Sequence, residues 1–394
     1  MFDSIINFKK TENQNEPVTN EIISVTKDTN ITKEMLRDDW ADPIVRNAIQ
    51  LLVDLINMGF RITSDDSRVS EDIATINHNT DLLEFNDTLV RDAFIFGTAF
   101  IKYLFNADKT KIVGLWNMDA VKTDFYRTQS GAVKLSTDGT AYGYIETVPF
   151  GASINESLET DGSGNQGRFY KGSDNIVTHF VLEKFPGTIE GISRVKSAHN
   201  LVRNKWIVEN SISQAIYNFG VPVWKYKVGN KDRPIVTPDK LKDVKKKMME
   251  TKQKSIIIMP WWEDLEIMYP KDISNITDSL KPYLDQLPAA LGIPRALLFE
   301  TGEKTNRGSL RQQIRLFITR INKYRNKLVS FYNKEVFPRI ATQNGWKSLP
   351  KITFEPVTLE DIESMAERLK MYVDAGIFNP NEVKTTVKQI EDII

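Results

Sequence analysis

Apolar residues fall three and four positions apart over much of the chain, the spacing that keeps one face of a helix buried. The longest such pattern runs through Leu310, Ile314, Phe317, Ile318, Ile321, Tyr324, Leu328 and Phe331. Ser309 is its expected N-cap, with Gln312 as capping-box partner, and Pro338 is expected to end it. Earlier, Thr32 introduces a short helix over Lys33 to Asp39, and Asp42-Pro43 opens a second whose apolar face is Ile44, Val45, Ala48, Ile49, Leu52, Leu55 and Ile56. Gly59 stops it, and Phe60-Arg61-Ile62-Thr63 reads as a short strand. A third helix covers about Asp81 to Phe96 and closes at Gly97.

The pattern then changes. Ala99 to Phe105, Lys111 to Trp116, Ala141 to Val148 and Ile176 to Leu182 are rich in aromatic and β-branched residues, with turn-formers between them. This predicts a mostly antiparallel sheet with helices packed on it, an α+β domain. A long helix follows from about Ile192 to Phe219, roughly 40 Å at 1.5 Å per residue. Next come a strand at Val223 to Val228, a lysine-rich helix at Pro238 to Lys252 and a strand at Ser255 to Met259, a small α/β insertion. The helical pattern from Ser274 to Leu291 contains Pro282 and Pro288, so it must kink or break. After the long pattern described first come an extended segment at Lys351 to Val357 and two terminal helices, of which Leu359 to Ala375 is acidic.

Composition narrows the chemistry. The chain has 394 residues, 52 basic and 52 acidic, with no cysteine and three histidines. Zero net charge argues against a protein that coats nucleic acid. Without cysteine there are no disulfides, thiolate zinc sites or cysteine nucleophiles, which fits an intracellular product. His78, His179 and His199 are scattered and form no metal-binding pair. No apolar run approaches 18 residues, and the N-terminus lacks a signal pattern, so neither a membrane span nor export is expected. Charge is nonetheless segregated. Between Glu303 and Glu335 lie nine cations and no acid: Lys304, Arg307, Arg311, Arg315, Arg320, Lys323, Arg325, Lys327 and Lys334. A solvated face paired with acids elsewhere fits this pattern, and so does a contact with phosphate or with an acidic neighbouring subunit.

Gly162-Ser163-Gly164-Asn165-Gln166-Gly167 matches the dinucleotide fingerprint letter for letter, but it sits in a polar tract that leads into an extended segment instead of a helix, so nucleotide binding is not expected. No phosphate-cradling G-x-x-x-x-G-K-[ST] loop occurs. Acids at Asp65, Asp66 and Asp92 leave open a magnesium-dependent DNA-processing enzyme as an alternative.

The order of parts, an α+β domain, a long helix, a small insertion, a kinked helix, a glycine-containing loop, a long helix and helical terminal turns, resembles the portal proteins of tailed bacteriophages and related tailed viruses. The phrases that carry the resemblance are Asp42-Pro43-Ile44-Val45-Arg46, Asp92-Ala93-Phe94-Ile95-Phe96-Gly97-Thr98-Ala99-Phe100, Glu190-Gly191-Ile192-Ser193-Arg194, Leu291-Gly292-Ile293-Pro294, and Ala375 to Lys384. It implies a flexible arm at 1–31, a wing at 32–191, a first stem helix at 192–220 and a clip at 221–273. A second stem helix at 274–294, a tunnel loop at 295–308, a spine helix with its return to the wing at 309–357 and a crown at 358–394 complete the series. It further implies a ring of twelve copies at one capsid vertex, through which double-stranded DNA is packaged by terminase and later ejected. No enzymatic activity and no cofactor are implied. The implied partners are the chain itself, DNA, terminase, the major capsid protein and a head-tail adaptor, with no membrane; its places are the virion and, during assembly, the host cytoplasm. Arg295, Glu300, Thr301, Gly302, Glu303, Lys304, Thr305, Asn306 and Arg307 would line the channel. Lys242, Lys245, Lys246, Lys247, Trp261 and Trp262 would dock partners, and Arg311, Arg315, Arg320 and Lys323 would contact neighbouring subunits. Another head or adaptor structural protein is a third reading.

Overall fold

The structure, a computed structural model, describes residues 31–147, 158–219, 223–227, 264–268, 278–299 and 307–355, with Asp239, Lys242 and Lys246. The N-terminal arm, most of the insertion, the loop at 300–306 and the chain after 355 lie outside the described residues. The chain forms two compact units: the larger includes Ile31–Ser197 and the chain from Pro288, the smaller Ala198–Leu287.

In the larger unit, α1 (Lys33–Trp40) is capped by Thr32, and α2 (Pro43–Asn57) by Asp42, whose carboxylate accepts the N–H groups of Ile44 at 2.9 Å and Val45 at 3.4 Å. Pro43 sits in the first turn of α2, where its missing N–H costs nothing. Val45, Ala48, Ile49, Leu52 and Ile56 are buried as the period predicts. Strand β1 (Arg61–Thr63) pairs antiparallel with the late strand at residues 351–353. Helix α3 (Ser67–Thr80) was not anticipated. Its signal was an N-cap at Asp66 followed by Val69, Ile73 and Ile76, two of them buried, in an otherwise polar stretch. Asp81, left-handed at φ 49°, ends α3 and caps α4 (Leu82–Ile95).

The predicted single sheet is two. One has the order β3-β2-β8, from β2 (Thr98–Phe105), β3 (Ile112–Met118) and β8 (Val177–Val181). The other, β4-β5-β7-β6, is built from β4 (Thr123–Phe125), β5 (Gly143–Glu146), β6 (Glu159–Thr160) and β7 (Gln166–Lys171). All pairings are antiparallel. The fingerprint-like glycines lie between β6 and β7 and in β7 itself, so no helix opens on them. Phe100, Phe125 and Tyr144 pack between the sheets, and the ring of His179 meets Phe125 edge-on at 4.9 Å. Burial pushes the His179 imidazole down to about 4, so it is a neutral core residue hydrogen-bonded to the Tyr144 hydroxyl at 2.9 Å.

At the junction of α4 and β2 the chain meets the entry to the next helix. A Cβ on Gly191 would lie 1.8 Å from the Gly97 carbonyl oxygen, so the two backbones touch where only glycine fits. Ser193 then donates to the Ile95 carbonyl at 2.5 Å and accepts the Lys196 N–H at 2.9 Å, capping α5 (Arg194–Phe219). With 26 residues, α5 is about 39 Å long.

In the smaller unit, β9 (Val223–Lys227) pairs antiparallel with β10 (Asp264–Met268). The expected partner strand, Ser255 to Met259, lies outside the described residues, and β10 was not anticipated. Helix α6 (Lys281–Leu291) tolerates both prolines: Pro282 is in its first turn, and Pro288 is inside the helix, at the boundary between the units. The pattern expected to kink or break is interrupted by a turn at Ser279 and Leu280, just before Pro282, and α6 then continues through Pro288.

Back in the larger unit, Gly292 at φ 76° ends α6, and the single-turn helix α7 (Arg295–Leu298) follows. Helix α8 (Arg307–Phe331) starts two residues before the expected cap, so Ser309 lies within it. Pro338 does not end the helical run. Residues Tyr332–Val336 form a π-turn, and α9 (Phe337–Asn344) continues with Pro338 in its first turn. Restarting the helix there places the proline where no N–H is needed. Tyr332 is fully buried, and its hydroxyl donates to Asn86 Oδ1 at 2.6 Å. Strand β11 (Lys351–Thr353) completes the pair with β1.

Candidate subunit interface

Helix α8 crosses the larger unit with Phe317, Ile321, Tyr324 and Leu328 buried, which turns its cations to other faces. Three of them are satisfied inside the unit, and by carbonyl oxygens. Arg325, 5% exposed, donates to Ile56 O at 3.0 Å, Leu55 O at 2.8 Å, Met58 O at 3.1 Å and Glu355 O at 2.5 Å, and its guanidinium lies 4.9 Å from the Phe354 ring centre. The first three are carbonyls at the end of α2, where a positive charge is favoured. Burial lowers the Arg325 pKa. Lys327 donates to Leu182 O, and burial lowers its pKa, with Lys323 adding to the effect. Arg320 donates to Gly292 O at 2.6 Å, and a Cβ on Gly292 would come within 2.6 Å of that guanidinium.

Beside Arg320 the start of α5 is tied to α8. Arg194 donates to Glu183 Oε1 at 2.6 Å and to the Tyr324 hydroxyl at 2.5 Å, and Tyr324 donates to the same Glu183 oxygen at 2.9 Å. Burial, first, raises the Tyr324 pKa. Sequence reasoning missed Glu183, Tyr324 and Arg194 as a set, because nothing in the spacing links three distant segments. An open cleft of about 430 Å³ is lined by Glu183, Arg194, Leu316, Arg320, Lys323 and Tyr324. On the other side of Lys327 lies a larger cleft of about 770 Å³, bordered by Lys184, Lys334, Arg339 and Glu335 over the Phe331 ring.

Arg311, Arg315 and Lys323 are exposed, and among the described residues their side chains have no ion-pair or hydrogen-bond partner. Arg320 joins them on the surface. The four proposed subunit contacts are therefore brought together on one helix. Of the channel set, Arg295 lies exposed in α7 and Arg307 begins α8, while Glu300, Thr301, Gly302, Glu303, Lys304, Thr305 and Asn306 lie outside the described residues. Of the docking set, Lys242 and Lys246 are helical and exposed. Lys245, Lys247, Trp261 and Trp262 lie outside the described residues.

The acids considered for magnesium have other surroundings. Asp66 caps α3, accepting the Arg68 N–H at 3.0 Å. Asp92 belongs to α4, where burial pushes its carboxyl up to about 7; Arg91 opposes this and Asp119 adds to it. A buried carboxyl that resists ionisation near neutral pH is a weaker cation ligand than a solvated one. Among the described residues, no three acidic or histidine side chains gather into a metal-holding group. No helix of the described residues is long and apolar enough to cross a membrane.

Neither a protein-family model nor a curated protein matches the chain. Solved structures do match. A chain from the virion of the native gene transfer agent particle aligns at TM-score 0.57 and 14% identity, covering 94% of this chain and 99% of that one. A chain from the neck of the native particle, computed with C12 symmetry, aligns at TM-score 0.57 and 12% identity over 90% and 92%. An HK97 family phage portal protein from Corynebacterium diphtheriae aligns at TM-score 0.46 and 10% identity over 81% and 94%. The chain thus has the α+β fold that its sequence led us to expect, shared over most of its length with chains of the gene transfer agent particle.

Proposed function

We propose that this protein is the portal subunit of a tailed virus or related particle. Copies of it form a ring, of twelve, at one capsid vertex, through which double-stranded DNA enters under the terminase motor and later leaves. The observation that carries this reading is the fold match over nine-tenths of the chain to a neck component in a particle computed with C12 symmetry. The long α5 and the shorter α6, leading into and out of the smaller unit, support it, as does zero net charge: a channel must let DNA slide, and a net basic wall would hold phosphate too tightly. In this reading the wing, stem, clip, tunnel loop, spine and crown keep the boundaries given above. Arg295 to Arg307 face the DNA, the lysine-rich helix with Trp261 and Trp262 docks terminase and then an adaptor, and Arg311, Arg315, Arg320 and Lys323 face the next subunit. The role is structural, without turnover, exercised in the virion beside the major capsid protein after assembly in the host cytoplasm. Negative-stain images of the purified chain test it. Rings with a central hole are expected; uniformly monomeric particles, or magnesium-dependent DNA cleavage abolished by changing Asp65 or Asp66, would overturn it.

A further inference from the structure

The larger unit carries a second charged surface, opposite in sign to that of α8. Asp54 on α2 and Asp81 and Asp87 on α4 lie close together. Burial raises the Asp87 carboxyl above its usual range; the Asn57 amide, 2.7 Å away, and the charge of Arg91 oppose this, and the charges of Asp54 and Asp81 add to it. Among the described residues none of these three acids forms an ion pair with a lysine or arginine. Large apolar side chains stand beside them. Leu83, 52% exposed, is four residues before Asp87 on α4, and Met58, 41% exposed, is four after Asp54 at the end of α2. Such spacing puts each apolar residue on the same side of its helix as its acid.

The α8 surface is the complement. Arg311 and Arg315, four apart, are neighbours on the helix, Lys323 lies two turns further on and about 80° round from Arg315, and Leu316, 67% exposed, is on the Lys323 side. Each surface thus combines three charges of one sign, none of them held in an ion pair, with exposed apolar area, a composition suited to a contact between subunits.

We propose that the acidic surface of Asp54, Asp81 and Asp87 in one copy docks on the basic surface of Arg311, Arg315 and Lys323 in the next. The occupant of each is a second copy of this chain. Because the two surfaces differ, the contact is head-to-tail, and it propagates until the rotation closes a ring. The inference rests on the ring reading above and adds which surfaces meet.

Two charge-reversed chains test it, R311E/R315E/K323E and D54K/D87K, with Asp81 left in place because it caps α4. Sedimentation and native mass spectrometry are expected to show each variant alone as a monomer at concentrations where the wild type is assembled, a drop of at least tenfold in association. Mixed one to one, the two are expected to assemble again, since every contact then joins opposite charges in one orientation or the other. Recovery on mixing also proves that both variants fold. Assembly that survives either reversal, or a mixture that stays monomeric, overturns this pairing and leaves the ring reading standing. A wild-type chain that never assembles overturns both.

Discussion

Arg325 is charged and nearly buried, yet its four partners are all neutral carbonyl oxygens. Three belong to the last turn of α2, so one side chain satisfies an end that would otherwise be buried without donors. Replacing it with Met keeps much of the volume and removes every donor. The expected loss is about 2–4 kcal/mol in a urea titration, with Lys recovering only part because one ammonium cannot span the set. Asp92 acts in the opposite direction. Its folded pKa, about 7, is above the unfolded carboxyl value, so its contribution is fully present below about pH 4 and is lost as pH rises through 7. Each pH unit in that window costs up to about 1.4 kcal/mol, and Asp92→Asn is expected to flatten that part of the stability-pH curve. A slope unchanged by the substitution would assign the pH dependence to other groups. From the sequence, Arg325 was one cation among nine on a helix, because nothing local distinguishes a cation aimed at carbonyls from one aimed at water.

Among the elements, those with a strong period and a cap were legible. Helices α2 and α4 lie where Asp42, Pro43 and Asp81 place them, since a cap is a local device. The polar α3 was missed because few of its positions are apolar. The two-sheet arrangement was missed because Thr123–Phe125 and Gln166–Lys171 are short and sit among turn residues, where pairing, rather than local preference, makes the strand. Pro338 misled because a proline bars only the next intrahelical bond, and a π-turn supplies a way around it. Gly97 and Gly191 were each noticed in separate phrases, but their contact is a tertiary fact. Gly191→Ala is expected to cost about 3 kcal/mol or more and to lower the thermal midpoint by several degrees, since the new methyl meets backbone that cannot swing aside. A midpoint within one degree of wild type would show that the α5 entry shifts freely. Of the candidate site, the positions on one helix of the four residues proposed to contact a neighbouring subunit were legible, and the tie of Arg194, Glu183 and Tyr324 was not.

For the whole molecule, balanced charge conceals separation: an acid-rich patch on α2 and α4 and a base-rich side on α8. Attraction between exposed patches is screened by dissolved ions, with a Debye length of about 8 Å at physiological salt and about 3 Å at 1 M. The Arg325 guanidinium, by contrast, is nearly buried and donates to carbonyl oxygens, bonds that dissolved ions reach poorly. Concentrated sodium chloride should therefore loosen contacts between copies while far-ultraviolet circular dichroism stays constant, and dialysis should restore them. The same grip at Arg325 would make the subunit of the proposed ring a reusable part, with brine expected to unbuild the assembly without melting its pieces.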